Sequence, residues 1–140
     1  MANEVTVVAA DVRPLGGAII RRAIAAHALA HGDVVYISSY SGNLPVVSKA
    51  AGGALATVNP YGVVVAGALA NTTIATSEAV DIVVLGAVTG FSGMTSGNTI
   101  WVSDTTGRLS TVVGTKSGIV GVAETPATVF VRPGYFAIST

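Results

Sequence analysis

The pair of residues most able to do chemistry in this chain is His27 and His31, four positions apart, which on a helix would share one face as zinc ligands do. No Glu stands between them and Asp33 is the nearest carboxylate, so the set falls short of the three or four ligands that zinc takes. The stretch Gly114-Thr115-Lys116-Ser117-Gly118 resembles a phosphate loop, but Thr115 separates the glycine from the lysine and the residues that follow read as a strand. There is no G-x-S-x-G elbow and no third group placed to orient either histidine. The carboxylates Glu4, Asp11, Asp33, Glu78, Asp81, Asp104 and Glu124 are dispersed. Glu78 and Asp81 come closest, but an i, i+3 pair on a strand faces opposite sides and does not share a proton. The expectation is a non-enzymatic protein with no cofactor and no metal. A ligand carrier would need convergent polar groups, and no cluster in the sequence supplies them.

Composition bounds what remains. The 140 residues are 51% hydrophobic and only 10% charged, against about 25% charged in an ordinary soluble domain. So few charges cannot cover a globule of this size, which implies surface buried against other chains. Seven basic and seven acidic side chains cancel and are scattered, so there is no basic field for a phosphate backbone and no nucleic-acid partner is expected. Cysteine is absent, which removes disulfides and thiolate chemistry. The uncharged run between Lys49 and Glu78 is broken by Gly52, Gly53, Asn59, Pro60, Gly62, Gly67 and Asn71, so no membrane span is expected there. The start of the chain carries Glu4 and Asp11 and does not read as a secretory signal, so the Asn71-Thr72-Thr73 glycosylation pattern reads as a polar turn.

The elements that would carry these residues are strands. Seventeen glycines among many Val, Ile and Thr predict strands over 5–9, 18–23, 34–38, 43–47, 63–66, 80–88, 99–103, 108–113, 119–123 and 128–132. The fold class is all-β, a small barrel or sandwich. The alanine-rich segment 16–32 also fits a helix, with Ile20, Ile24 and Ala28 four apart, and an internal repeat decides between the two. Sliding the chain by 65 positions lays Gly32 on Gly97, Ser38 on Ser103, Gly42 on Gly107, Leu44 on Leu109 and Tyr36 on Trp101. The same offset lays 18–23 on the plain strand at 83–88, so 18–23 is read as strand. Beyond the hairpin the first copy holds about nine extra residues, "AAGGALATVNP", read as a surface loop ending in a turn at Asn59-Pro60-Tyr61-Gly62. The organisation is an extended N-terminal arm, 1–15, and one β-domain, 16–140, with pseudo-repeats over 16–77 and 78–140.

The order "VRPLGGAIIRRA", "GDVVYIS", "GIVGVAE" and "TVFVRPG" resembles the decoration, or cement, proteins that tailed bacteriophages add to the outside of the expanded head. The resemblance implies a structural homotrimer on the outer capsid surface, made in the host cytoplasm. Its partner would be the major capsid protein, whose neighbouring subunits it would clamp. It brings no catalytic residues. Within this reading Glu4, Val5, Thr6, Val7, Val8 and Ala9 alternate ahead of Pro14 and suit strand addition to a capsid subunit or an adjacent trimer. Tyr36 and Trp101 are expected to form a core aromatic pair. The alternative is a trimeric fibre or receptor-binding β-module, whose glycan site would draw on Tyr40, Tyr61, Phe91, Trp101 or Tyr135.

Overall fold

A computed structural model describes residues 4–67 and 73–135. In chain order the elements are β1 (Thr6–Val7), β2 (Arg13–Pro14), β3 (Ile19–Ala25), β4 (Leu29–Ala30), β5 (Val34–Ser41), β6 (Leu44–Lys49), α1 (Leu55–Val58), β7 (Gly62–Gly67), β8 (Thr73–Ile74), β9 (Ala79–Thr89), β10 (Phe91–Ser92), β11 (Thr99–Val102), β12 (Leu109–Ser110), β13 (Gly118–Thr125) and β14 (Thr128–Tyr135). The fold is all-β. Five strands close a barrel in the order β9-β3-β6-β5-β7 and back to β9, with β3 and β6 parallel and the other pairs antiparallel. A second, open layer continues from β9 through β14, β13, β11 and β12. Of the segment expected as strand over 18–23, all but Ala18 lie in β3, where the β-branched run Ile19-Ile20 finds cross-strand partners on β9.

The two hairpins share backbone landmarks. β5 begins at Val34 and β11 at Thr99, while β6 begins at Leu44 and β12 at Leu109, which keeps the sequence offset. Gly32 and Gly97 have φ of 94° and 87°, and Gly42 and Gly107 have 61° and 79°, so equivalent glycines hold equivalent left-handed turns.

Two apolar clusters explain why several strands read as unbroken hydrophobic runs. Val35, Val47, Val64, Val80 and Ile82 pack with Ala23, Ala25, Leu29 and Ile74 in one. Their alternating neighbours Val34, Val63, Val65 and Val83 pack in the other with Ile100, Val102, Leu109, Val120, Val129 and Val131 of the second layer. Barrel strands are therefore buried on both faces, one inside the barrel and one beneath the second layer.

The N-terminal segment is extended and lies along its own chain. Glu4 bridges Ser110, the Val5 N–H donates to the Leu109 carbonyl at 2.9 Å, β1 pairs β10, and β2 pairs β9. Val5 and Val12 are buried in the larger cluster. In the first copy β3 and β6 meet and close the barrel. In the second their equivalents, β9 and β12, do not pair, and residues 4–14 run between them. Of Glu4 to Ala9, expected to add to a neighbour's sheet, Val5, Thr6, Val7 and Val8 pair along one edge with their own chain.

The nine-residue insertion is likewise more than a surface loop. It carries α1, buries Ala50, Val58 and Pro60, and ties the halves together through the Gly52 N–H to the Ser103 carbonyl and the Lys116 N–H to the Gly52 carbonyl, both 2.8 Å.

Candidate functional site

The residues weighed for chemistry are each held apart. His27 lies outside any helix, where its Nδ1 bonds the Ala28 carbonyl at 3.1 Å and its Nε2 accepts the Lys49 N–H at 3.2 Å, which fixes the Nδ1–H tautomer. His31 has a buried Nε2 without a hydrogen-bond partner, and burial lowers its pKa. Asp33 is buried and accepts the Ala30 N–H at 2.9 Å. Burial raises its pKa against the opposing pull of that bond and of Lys49, Arg108 and His27. Among the described residues no three His, Asp or Glu gather as metal ligands.

The 114–118 stretch bends and then enters β13, not a helix. The Asp104 carboxylate accepts both the Thr115 N–H at 2.9 Å and the Thr115 hydroxyl at 2.7 Å, taking up donors that a phosphate would need. Glu78 accepts the Ala75 N–H, and Asp81 pairs with Arg22 at 3.2 Å, so these carboxylates serve separate local structures. Tyr36 and Trp101, expected as a core pair, lie on β5 and β11. Both are half-buried, no ring contact joins them, and only Tyr36 packs against the larger cluster. Trp101 stands opposite Ile119 on the outer face of the second layer, near the Val122–Phe130 rung, and all four side chains are half-buried. Asn71 and Thr72 of the glycosylation pattern lie outside the described residues, as do residues 136–140, and nothing is described of the Tyr135 side chain.

Two surfaces remain as candidates for binding. The first is an apolar strand edge. Ile19 and Leu85 face each other across β3 and β9 and are 49% and 41% exposed. β6 meets β3 only at Ile24 and Ala25, so 19–23 of β3 present an edge with ladder pairing on one side only. The β5–β6 hairpin projects nearby in sequence order, with Ile37 exposed and Tyr40 at 80% exposure. Pro45 on β6 removes one edge donor there, a usual protection against indiscriminate strand pairing.

The second is an open cleft of about 320 Å³ between β5 and the insertion, lined by Tyr36, Ile37, Leu55, Asn59, Pro60 and Tyr61. Asn59 ends α1 in an extended conformation, and the Tyr61 N–H donates to the Val35 carbonyl at 2.7 Å, which seats the insertion against β5. Sequence reasoning considered Tyr61 singly and assigned Tyr36 to Trp101, so it did not bring them together. The signal for the cleft was the insertion itself, present in one copy of the repeat and absent from the other.

No helix among the described residues is long and apolar enough to cross a membrane. Compared with known proteins, the chain matches no family model and no curated protein. What fold and surface define together is a small all-β barrel with a second layer, a paucity of charge and an exposed apolar edge.

Proposed function

We propose that this protein is a structural decoration protein of a tailed-phage head, which binds the outer capsid surface as a homotrimer and bridges neighbouring major capsid subunits. The observation that carries the reading is the exposed Ile19–Leu85 rung beside the one-sided edge of β3, in a chain with only 10% charged residues. Apolar side chains next to open main-chain donors and acceptors are well suited to burial against a protein surface. The half-buried face around Trp101, Ile119, Val122 and Phe130 offers a second contact on the other layer. A trimer then meets its shell at several points, and many modest contacts suffice in a lattice.

The test joins mass to binding. Sedimentation equilibrium should give three times the 13.9 kDa chain mass, and the protein should co-sediment with expanded empty heads. Ile19→Asp with Leu85→Asp, both exposed in the single chain, should keep the β-type circular dichroism spectrum and lose the trimer or the head binding. A monomer that ignores heads, or a double variant with full trimer and full head binding, would overturn the proposal.

A further inference from the structure

The cleft beside Tyr61 is built by residues that the second copy of the repeat lacks. In the first copy the insertion adds α1 and Asn59-Pro60-Tyr61 along β5; the second copy, at Trp101 and Val102, has no counterpart wall. Its lining is wholly uncharged, and the chain carries no Asp, Glu, Lys or Arg between Lys49 and Glu78. An anionic or cationic ligand would find no counter-charge there.

Its polar groups are nonetheless available. Among the described residues no hydrogen bond engages the Tyr36 hydroxyl, the Tyr61 hydroxyl or the Asn59 side-chain amide. Asn59 is exposed and the two tyrosines are half-buried, so these groups are open to solvent and free to meet a ligand. The ligand that fits both facts is neutral, offers C–H faces to aromatic rings, and carries hydroxyls that both donate and accept. From this charge and hydrogen-bond complementarity we propose that the Tyr36–Asn59–Tyr61 cleft binds a neutral saccharide. Tyrosyl rings supply apolar faces with a polar tip, and the Asn59 amide supplies a donor and an acceptor at one site. Pro60, buried and with its φ set by the ring, holds the two binding residues on either side of it in fixed relation. The inference does not depend on the capsid reading.

The experiment is a titration of the ¹⁵N-labelled full chain with maltose, cellobiose and lactose, and with sialyllactose as the charged comparison. A site this open is expected to bind in the millimolar range. The neutral sugars should give saturable shifts at the amides of Tyr36, Ile37 and 55–61, with no gain from the sialic acid. Asn59→Ala, at an exposed position, should fold normally and weaken binding at least tenfold, and Tyr61→Phe should weaken it while keeping the ring. A glycan array of neutral and acidic structures extends the search beyond the three disaccharides. The proposal is overturned if neither the disaccharides nor the array shows neutral-glycan binding. It is equally overturned if the shifts survive both variants, or if poly-L-proline alone perturbs the cleft and marks it as a peptide groove. Head co-sedimentation of Asn59→Ala keeps the two proposals apart: it should be unchanged, and its loss without any sugar effect would assign the cleft to the capsid.

Discussion

Replacing Val5 by Ala tests whether the N-terminal segment completes this fold or merely rests on it. The Val5 side chain is 1% exposed within the larger cluster, and its N–H holds the Leu109 carbonyl on β12. Removing two carbons forfeits about 1.6 kcal/mol of burial at ~0.8 kcal/mol per methylene. A cavity that does not collapse raises the total to about 2–3 kcal/mol. For a domain of this size that is a fall in Tm of about 6–12 °C. Val8, three residues on in the same segment, is 43% exposed, and Val8→Ala should stay within about 0.5 kcal/mol. Trp101, the single tryptophan, lies on β11 beside β12 and reports unfolding in urea by fluorescence. The measurement belongs at a dilution where the chain is monomeric, since an intrachain strand stabilises independently of concentration whereas an exchanged one does not. If Val5→Ala and Val8→Ala cost the same small amount, or if the Val5 penalty appears only at high concentration, residues 4–14 do not close the second layer in the single chain.

Three further substitutions follow from burial and from space. His31 has its pKa lowered from 6.5 by burial, so the stability linked to its neutral ring is whole above about pH 6.5 and is lost as pH falls through the lowered folded value. Asp33, with its pKa raised by burial, acts in the opposite sense and is common to the parent chain and the His31 variant, so the comparison between them isolates the histidine. Urea midpoints measured between about pH 7.5 and about pH 5.5 should fall for the parent chain and fall less for His31→Gln, and equal slopes would refute the assignment. Gly121 on β13 lies where a Cβ would run into the Phe130 carbonyl of β14, so Gly121→Ala should cost about 1–3 kcal/mol or prevent folding. Gly53→Ala, with open space around it, should be close to neutral in the same unfolding assay.

Much of the barrel was legible because its long strands announce themselves through β-branched runs between glycines, and all ten expected strands have counterparts. What escaped were the two-residue pairings β2, β4, β8 and β10, which arise from where the tertiary fold lays the chain and leave no periodicity to read. The expected strand over 108–113 shortens to Leu109–Ser110 for a local reason. The Ser110 hydroxyl accepts the Val112 N–H and donates to the Val112 carbonyl, turning the chain where the ladder would have continued. The fate of the N-terminal segment was hidden for the same kind of reason. Its alternation marks a strand in need of an edge, and only the shortened β12 shows that the edge is in the same chain. The cleft was illegible because Tyr36 and Tyr61 are distant in sequence, and the hairpin repeat pointed Tyr36 toward Trp101 instead.

The two copies of the repeat are not two modules side by side, and β9 shows why. Its first part, up to Leu85, pairs β3 and β7 and closes the barrel, while Gly86 to Thr89 pair β14 and β2 in the second layer. The change of partner falls at Gly86, which has a φ of 130° and leaves no room for a Cβ against Ala18. The opening strand of the second copy thus also closes the barrel of the first. The first copy closes with β3 against β6. The second, having lent its opening strand to the barrel, cannot repeat that closure, and residues 4–14 supply the missing run between β9 and β12. This shared strand buries one face of the barrel beneath the second layer and leaves exposed apolar side chains near the point where the layers part. Ile19 and Leu85 stand there, immediately before the Gly86 switch, which ties the exposed edge proposed for assembly to the same asymmetry that the duplication created.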